Sequence, residues 1–548
     1  MSYANLSVLI VDDSPMYRTA AKGMLQKLGF QTDSIHFAQD AKEAIGLCRE
    51  VAFQLLLCDY NLGDKANGYQ LLAYLQQQQL LPLDCTLVVV TGDGTPDVVR
   101  GFSELEPEGY LLKPLNYVTL QSRLPQLMQK KRQLSEISSA YSAHNYQQVV
   151  TLAENTTFKD ASAKLQAQMI AAQAYMALDK LEQARNSLIT MDIEHNPTVA
   201  LMLAEIALKQ RQYKQAHFLL DGIKTHNALK GRVAYLRARL FIASRDFASA
   251  WRFAKQASDF SLMAVERHWI KIALELGLKR YDHAALSLKS MVQSAKHSFY
   301  ESTDMYLLGA SLTLDNALLH QRDASSQILT GLSKWCEAWR SRFVRNEYKP
   351  FELLIFARAC AIRGKVLEAE KYLTEYLSIT PTERSQAPTQ LEIIERLKVF
   401  LVMGKQELYQ EHKAQLPAHD INTEREWLFE QIFSVWRSQF ELLRQEQQTI
   451  KKRAQLHVQE QQYEQAVNLL QELFQSGVND PDIANSLFIT LSHAWPHGWS
   501  KRQVSQLIFQ CQAQIHNTHY ESSQAYLAAS EKLAKQLNLK ELKSVAVA

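Results

Sequence analysis

Glycine and proline divide this 548-residue chain before any motif is read. Residues 1–131 hold 9 of the 18 glycines and 6 of the 13 prolines, and the remaining 417 residues hold only 9 and 7. Helix interiors exclude both, glycine for its backbone entropy and proline for its missing N–H, whereas tight turns between strands and helices require them. The distribution predicts a turn-rich α/β domain followed by a long, nearly all-helical region, with "QKKRQLSEI" (129–137) at the junction. A chain of this length exceeds a single hydrophobic core, so several domains are expected.

The first segment alternates in type. "LSVLIV" (6–11), "SIHFA" (34–38), "FQLLLC" (53–58), "CTLVVV" (85–90) and "GYLLK" (109–113) are short apolar runs separated by stretches with helical spacing. Ser14 reads as an N-cap with Pro15 at the first helical position, and Gly29 as the stop. Continuous apolar strands between helices predict an α/β doubly wound, five-stranded parallel sheet covered on both faces.

In such sheets the working groups gather beyond the carboxyl ends of the strands. Asp12 and Asp13 follow the first strand, Asp59 the third and Thr91 the fourth, while Lys113 ends the fifth. Adjacent carboxylates at the mouth of a buried strand cost stability unless a cation or donors compensate them. Clustered acids suit a hard divalent ion such as Mg²⁺, and a lysine with a hydroxyl suits an anion opposite it. One carboxylate used as a nucleophile toward a phosphoryl donor gives an acyl phosphate. Any one of these residues alone is as well explained as a cap or a surface group; five compatible groups at matching strand ends are not.

These residues resemble the receiver domain of two-component response regulators of the chemotaxis type, over roughly residues 5–128. The acidic pair is matched by Asp12 and Asp13, the phosphoacceptor by Asp59 in "LLLCDYNLGD", the switch hydroxyl by Thr91 in "VVVTGD" and the lysine by Lys113 in "YLLKP". The resemblance implies a cis peptide before Pro114. It also implies Mg²⁺ held by Asp13, Asp59 and the Asn61 carbonyl, with Asp12 acting through water. Tyr110 falls at the switch aromatic, which is expected to turn inward as Thr91 moves onto the phosphoryl group. Asn61 and Asp93 fall at positions that tune dephosphorylation. The loop "NLGDKANG" lacks the usual proline and is one residue longer than the common form before Gly68. Cys58 beside Asp59 reads as a core residue.

From residue 137 the chain repeats itself. "AAQAYMALDKLEQARNSL" (171–188), "LAEIALKQRQYKQAHFLL" (203–220) and "RARLFIASRDFASAWRFA" (237–254) each carry a small residue (Ala172, Ala204, Ala238) and another twelve positions on (Ala184, Ala216, Ala250). A bulky residue (Leu181, Tyr213, Phe247) stands three before the second alanine, and Tyr281 with Ala284 continues the series. Small residues let two helices of a hairpin approach closely, and such hairpins bury their apolar faces only by stacking. The pattern resembles the tetratricopeptide repeat over about 137–290, in four or five units, with Tyr146 and Val149 in a terminal one. Ala357 with Ala369, and Ala454 with Tyr463 and Ala466, mark isolated further units. Residues 290–350 and 375–450 fit poorly and read as divergent hairpins, with a loop at 380–390. The expected domains are 1–128, a receiver; 129–376, a tetratricopeptide-like array; and 377–548, a divergent helical region with a repeat-like hairpin near 450–476.

The apolar arc of "EREWLFEQIFSVWRSQFELLRQE" (424–446) is wider than one packed face needs. Burial in the array is the first reading, and self-association as a homodimer the sharper one. "QKKR" (129–132) and "IKKR" (450–453) read as solvated faces, and "QQQQ" (76–79) as a helix end. Residues 1–131 carry 11 Lys/Arg against 14 Asp/Glu, and the rest 49 against 43, so neither part has the basic footprint of a nucleic-acid binder. No helix-turn-helix with a basic recognition face is found, and a DNA-binding regulator is disfavoured. The acid-interrupted N-terminus is not read as a signal peptide, and no run approaches the roughly 20 apolar residues that span a bilayer. Six scattered cysteines without metal spacing indicate reduced thiols and a cytoplasmic setting.

The functional expectation is a phosphorylation-controlled adaptor. A sensor histidine kinase or phosphotransfer protein phosphorylates Asp59, and Thr91 with Tyr110 shifts the surface of the fourth helix, fifth strand and fifth helix (about 116–128). That change alters how the repeat groove binds a protein or peptide. The alternative is a phosphate sink that sequesters a kinase or another regulator. No enzymatic activity is expected beyond the receiver's own phosphorylation and dephosphorylation.

Overall fold

Residues that alternate along a strand point to opposite faces, and the short apolar runs of the first domain use this to build two cores on one sheet. The computed structural model of the chain describes residues 3, 6–63, 66–92, 105, 107–158, 160–191, 195–223, 229–260, 264–296, 298–320, 325–363, 365–384, 387–414, 424–475, 480–516 and 518–537. Strands β1 (Val8–Val11), β2 (Ile35–Ala38), β3 (Leu55–Cys58), β4 (Thr86–Thr91) and β5 (Gly109–Leu112) pair in parallel in the order β2-β1-β3-β4-β5. Val8, Ile10, Leu55, Leu57, Val88 and Val90 face one side, against α1 (Pro15–Lys27) and α4 (Tyr117–Arg132). Leu9, Val11, Leu56, Cys58, Leu87 and Val89 face the other, against α2 (Ala41–Glu50) and α3 (Gly68–Gln77). Ser14 caps α1 with Pro15 at its first position, and Gly29 follows its end at φ 98°. The helix expected before β5 falls in 93–104, outside the described residues.

Every regular element after β5 among the described residues is a helix. Two compact units divide the chain, the first Met1–Leu278 with Lys289–Glu301, the second Lys279–Leu288 with Ser302–Ala548. In the first unit the sheet domain is followed by helical hairpins: α5 (Ser135–Ser142) with α6 (Tyr146–Asn155), α7 (Ala161–Ala177) with α8 (Leu181–Ile189), α9 (Pro197–Lys209) with α10 (Tyr213–Gly222), and α11 (Lys230–Ala243) with α12 (Phe247–Phe260). Then comes α13 (Val265–Gly277), and α14 (Tyr281–Ala295) begins in the second unit and ends in the first.

One turn recurs through these hairpins. His144, Asp179, Arg211, Arg245 and Lys279 all have φ between 54° and 61°, spaced 32 to 35 residues apart. The N–H three residues after the helix closes back on it: Asn145 N to Ala140 O, Lys180 N to Tyr175 O, Gln212 N to Ala207 O and Asp246 N to Phe241 O, at 2.8–3.0 Å. This cap satisfies helix carbonyls that would otherwise be orphaned, and it uses non-glycine residues in a region they rarely adopt. The repeat alanines Ala172, Ala184, Ala204, Ala216, Ala238, Ala250 and Ala284 are all buried.

The second unit adds α15 (Thr303–His320), α16 (Ser325–Arg342), α17 (Arg345–Ile362), α18 (Val366–Leu377), α19 (Gln390–Val402), α20 (Gln406–Lys413), α21 (Glu424–Gln459), α22 (Tyr463–Gln475), α23 (Pro481–Leu491), α24 (Lys501–Ile515) and α25 (Gln524–Leu537). The same closure appears at Lys365 N to Cys360 O, Lys405 N to Phe400 O and Gln462 N to His457 O. The α19–α20 hairpin therefore shares the turn, with Gly404 supplying the positive φ, although its alanine spacing is absent from the sequence. Leu428, Phe429, Phe433, Trp436 and Phe440 of the wide apolar arc are buried within this unit.

The two basic clusters are not wholly solvated faces. Lys131 is buried, pairs with Glu108 at 2.8 Å and donates to the Leu83 carbonyl at 3.0 Å; Lys451 is buried and paired with Asp482. Each side chain crosses to a neighbouring element that carries its counter-charge, which a linear run of charges does not reveal. No helix among the described residues is long and apolar enough to cross a membrane.

Candidate functional site

The register of the sheet brings the strand-end residues together. Val11 lies opposite Cys58, and Thr91 opposite Leu112, so the next residues along, Asp12, Asp59 and Lys113, emerge at one edge. Backbone bonds hold them there: Asp12 N to Ala38 O, Asp59 N to Val11 O and Lys113 N to Thr91 O. The Lys113–Pro114 peptide is cis.

Asp12 and Asp59 are buried, Thr91 is fully buried and Asp13 is exposed. Lys113 Nζ lies 2.6 Å from Asp12 Oδ2 and 2.7 Å from Asp59 Oδ2, joining both acids. The other oxygens are also engaged. Asp12 Oδ1 accepts from Ser14 N at 2.9 Å, and Asp59 Oδ1 accepts from Tyr60 N at 2.6 Å. Arg18 donates to the Asp12 carbonyl. Burial holds the Asp59 carboxyl above its ordinary value, with Lys113 and the Tyr60 N–H opposing the rise and Asp12 adding to it. Burial works against the Lys113 ammonium, yet its bonds to Asp12 and Asp59 keep its pKa above the usual lysine value.

Carboxylate oxygens of Asp12, Asp13 and Asp59 all lie within 4.8 Å of one another. Three carboxylates against one ammonium leave negative charge at an all-oxygen site, the donor set of a hard divalent cation. The residues present fit Mg²⁺. Asn61 is exposed, two residues after Asp59. Asp93 lies outside the described residues. Tyr110 is half-buried and packs on the α2–α3 face of the sheet, and Cys58 is buried in the same core, its thiol donating to the Asp59 carbonyl at 3.2 Å.

Two features of the site went unread in the sequence. Tyr17 places its ring 4.3 Å below Lys113 Nζ, within cation–π range; its position one turn into α1, three residues after the Ser14 cap, is the signal that points to it. Gly68, the first residue of α3, donates to Tyr60 O at 2.7 Å, and a Cβ there would overlap the Asp59 carbonyl oxygen. Only glycine lets α3 start in contact with the Asp59 peptide.

A second candidate lies on the hairpins. A cavity of about 380 Å³ runs across α7, α9 and α11, lined by Met169, Met176, Met202, Arg232, Tyr235 and Arg239. A neighbouring cavity of about 430 Å³ joins α7 to the sheet domain, where Gln76, Leu83, Glu108 and Lys131 line it. Met169 and Gln173 line both, so the groove continues to the sheet domain.

The first domain is thus a five-stranded parallel sheet with paired acids, a third acid and a lysine at one edge. Residues 8–125 match the response regulator receiver domain, and the N-terminal domain of this chain is such a receiver. The chain is similar to the sensor histidine kinase AruS of Pseudomonas aeruginosa, 33% identical over 124 residues, which are 22% of this chain and 12% of AruS. It is similar to the chemotaxis protein CheY-3 of Vibrio cholerae, 24% identical over 126 residues, 23% of this chain and 94% of CheY-3. It is also similar to the transcriptional regulatory protein ZraR of Escherichia coli, 22% identical over 27% of this chain and 32% of ZraR. Among solved structures, chemotaxis protein CheY4 of Vibrio cholerae aligns at 24% identity over 23% of this chain and 99% of CheY4, with a TM-score of 0.21. The chain thus spans about an eighth of AruS and a third of ZraR, and nearly all of CheY-3.

Proposed function

We propose that this protein is a response regulator in which Asp59 accepts a phosphoryl group from a sensor histidine kinase or phosphotransfer protein, and that its tetratricopeptide-like hairpins deliver the output by binding a protein or peptide. The observation that carries the reading is Lys113 Nζ bonded to Asp12 and Asp59 together, beside three carboxylates that converge on one point. In the transfer an Asp59 oxygen attacks the phosphorus of a phosphohistidine. The P–N bond breaks, its electron pair returns to the imidazole, and that nitrogen takes up a proton. Hydrolysis later restores the carboxylate and releases inorganic phosphate.

Asp13, Asp59 and the Asn61 carbonyl would hold Mg²⁺, with Asp12 acting through water. The ion supplies positive charge against the incoming phosphoryl oxygens. Lys113 exchanges a carboxylate partner for a phosphoryl oxygen. Thr91 contributes its hydroxyl, and Tyr110 follows it. The groove across α7, α9 and α11 is the binding surface of this reading: methionines adapt to apolar anchors, and Arg232, with Arg239 paired to Glu205 at 3.3 Å, supplies polar contacts. Six buried, unpaired cysteines suit a reducing cytoplasm.

The test is phosphorylation of the full chain with acetyl phosphate or phosphoramidate and Mg²⁺, read by intact mass. A single hydroxylamine-labile addition, lost in Asp59→Asn and without the metal, is expected. Labelling that survives Asp59→Asn refutes the assignment.

A further inference from the structure

The receiver touches the far end of its own hairpin array, and it does so through α3 rather than through the surface of its fifth strand and last helix. Gln70 of α3 is buried and donates from Nε2 to the main-chain carbonyl of Ser294 at 2.7 Å, across 224 residues of sequence. One turn on, the Tyr74 ring lies 4.3 Å from Phe299 and 6.3 Å from Tyr300. Phe299 packs against the receiver core itself.

Gln70 serves two helices at once. Its Oε1 accepts from Asn67 N at 3.0 Å while Gln70 N donates to Asn67 Oδ1 at 2.9 Å, closing a capping box at the start of α3. Its Nε2 meanwhile reaches the last turn of α14, where carbonyls lack intrahelical donors. The start of α3 is tied in turn to the phosphoacceptor, because Gly68 N bonds Tyr60 O and Tyr60 N bonds Asp59 Oδ1. Both Asp59 oxygens already hold a donor, Tyr60 N on Oδ1 and Lys113 on Oδ2. An oxygen that becomes the ester oxygen of an acyl phosphate gives up much of its capacity as an acceptor, so phosphorylation must displace one of these donors. It also replaces a carboxylate charge of −1 by a phosphoryl group of about −1.5 to −2, a net gain of about half to one negative charge beside the loop that leads into α3.

We infer that the turn after α14 is a latch on α3: docked while Asp59 is unmodified and released when Asp59 is phosphorylated, freeing the far end of the array from the receiver and widening the groove that runs from Gln76 to Arg239. This rests on the proposed phosphorylation of Asp59 and names its means of control. The Gln70 conformation that caps α3 is the one that reaches α14, so docking needs no change of that side chain.

The experiment is hydrogen exchange of the full-length protein with Mg²⁺, with and without beryllofluoride, a stable mimic of the phosphoryl group. Peptides carrying Phe299 and Tyr300, and those of α3, are followed, and intact mass after phosphoramidate reports labelling of Asp59. Exchange at Phe299 and Tyr300 is expected to rise at least tenfold with beryllofluoride, and not at all in Asp59→Asn. Phe299→Ala, and separately Tyr74→Ala from the receiver side, should reach that exchange without the mimic while retaining the wild-type circular dichroism. By reciprocity both variants should bind beryllofluoride at least threefold more tightly. Unchanged exchange in protein whose Asp59 is fully labelled overturns the latch and leaves the receiver reading standing. A chain that never labels at Asp59 overturns both.

Discussion

Gly68→Ala should disable phosphotransfer without unfolding the protein. Helix propensity alone favours the change, because alanine exceeds glycine by up to about 1 kcal/mol within a helix. The surroundings of Gly68 reverse the sign. An added Cβ would overlap the Asp59 carbonyl oxygen and stand 2.9 Å from its carbon and 3.1 Å from Tyr60 Cα. All three atoms are backbone, so none swings aside as a flexible side chain would. Overpacking of this kind costs about 1–3 kcal/mol, so set against the propensity gain the net is a loss of up to about 2 kcal/mol. Relief by moving the Asp59 peptide shifts its carboxylate against Lys113, and a displacement of about 1 Å in a reacting group costs on the order of 10²-fold in rate. Gly46→Ala is the control. Gly46 is exposed within α2 with nothing near its missing Cβ, so the same substitution should stabilise by about 0.5–1 kcal/mol. Urea denaturation gives both signs, and phosphoramidate labelling followed by intact mass gives the rate. A Gly68→Ala protein that labels within twofold of wild type, with unaltered stability, would refute the steric reasoning.

Further outcomes follow from other parts of the molecule. Arg358 is wholly buried in the second unit, hydrogen-bonded to Asp315 at 2.8 Å and to the Ser311 carbonyl at 2.8 Å, with its Nε 2.9 Å from Glu395 as an ion pair. Arg358→Met leaves two buried acids facing Lys398 alone and should cost about 3–5 kcal/mol by urea denaturation. Tyr17→Ala removes the ring beneath Lys113, a contact of about 0.5–2 kcal/mol; phosphoramidate labelling should slow several-fold while the melting temperature moves little. Burial pushes the Cys48 and Cys336 thiols up to about 12 and Cys360 up to about 11. The thiolate is the reactive form, so native alkylation should be slow at pH 8, climb about tenfold per pH unit without a plateau below pH 10, and strike Cys360 before Cys48 or Cys336. Peptide mapping of the alkylated protein checks the order.

Much of this protein can be read from local rules. The Ser14 cap, the Pro15 start, the Gly29 stop and the five apolar runs each depend on a few neighbouring residues, and the structure places them where those rules put them. The meeting of Asp12, Asp59 and Lys113 was readable for a different reason: a parallel, doubly wound sheet sends every strand's carboxyl end to one edge. What the local rules missed has a common character. The α19–α20 hairpin was obscured because its alanine spacing is lost although its turn is kept. Lys131 and Lys451 looked solvated because their acids, Glu108 and Asp482, lie on other elements.

The sequence by itself determined the sheet, its order of elements, the identity of the charged cluster and the existence of stacked hairpins, since period, capping and strand polarity act over a turn or two of chain. Tertiary structure alone decided that Tyr17 lies under Lys113, that Gly68 rests on the Asp59 peptide, and that Gln70 reaches Ser294. The last contact depends on the rotation accumulated over successive hairpins, each contributing a small angle set by packing. No residue near either partner encodes that sum.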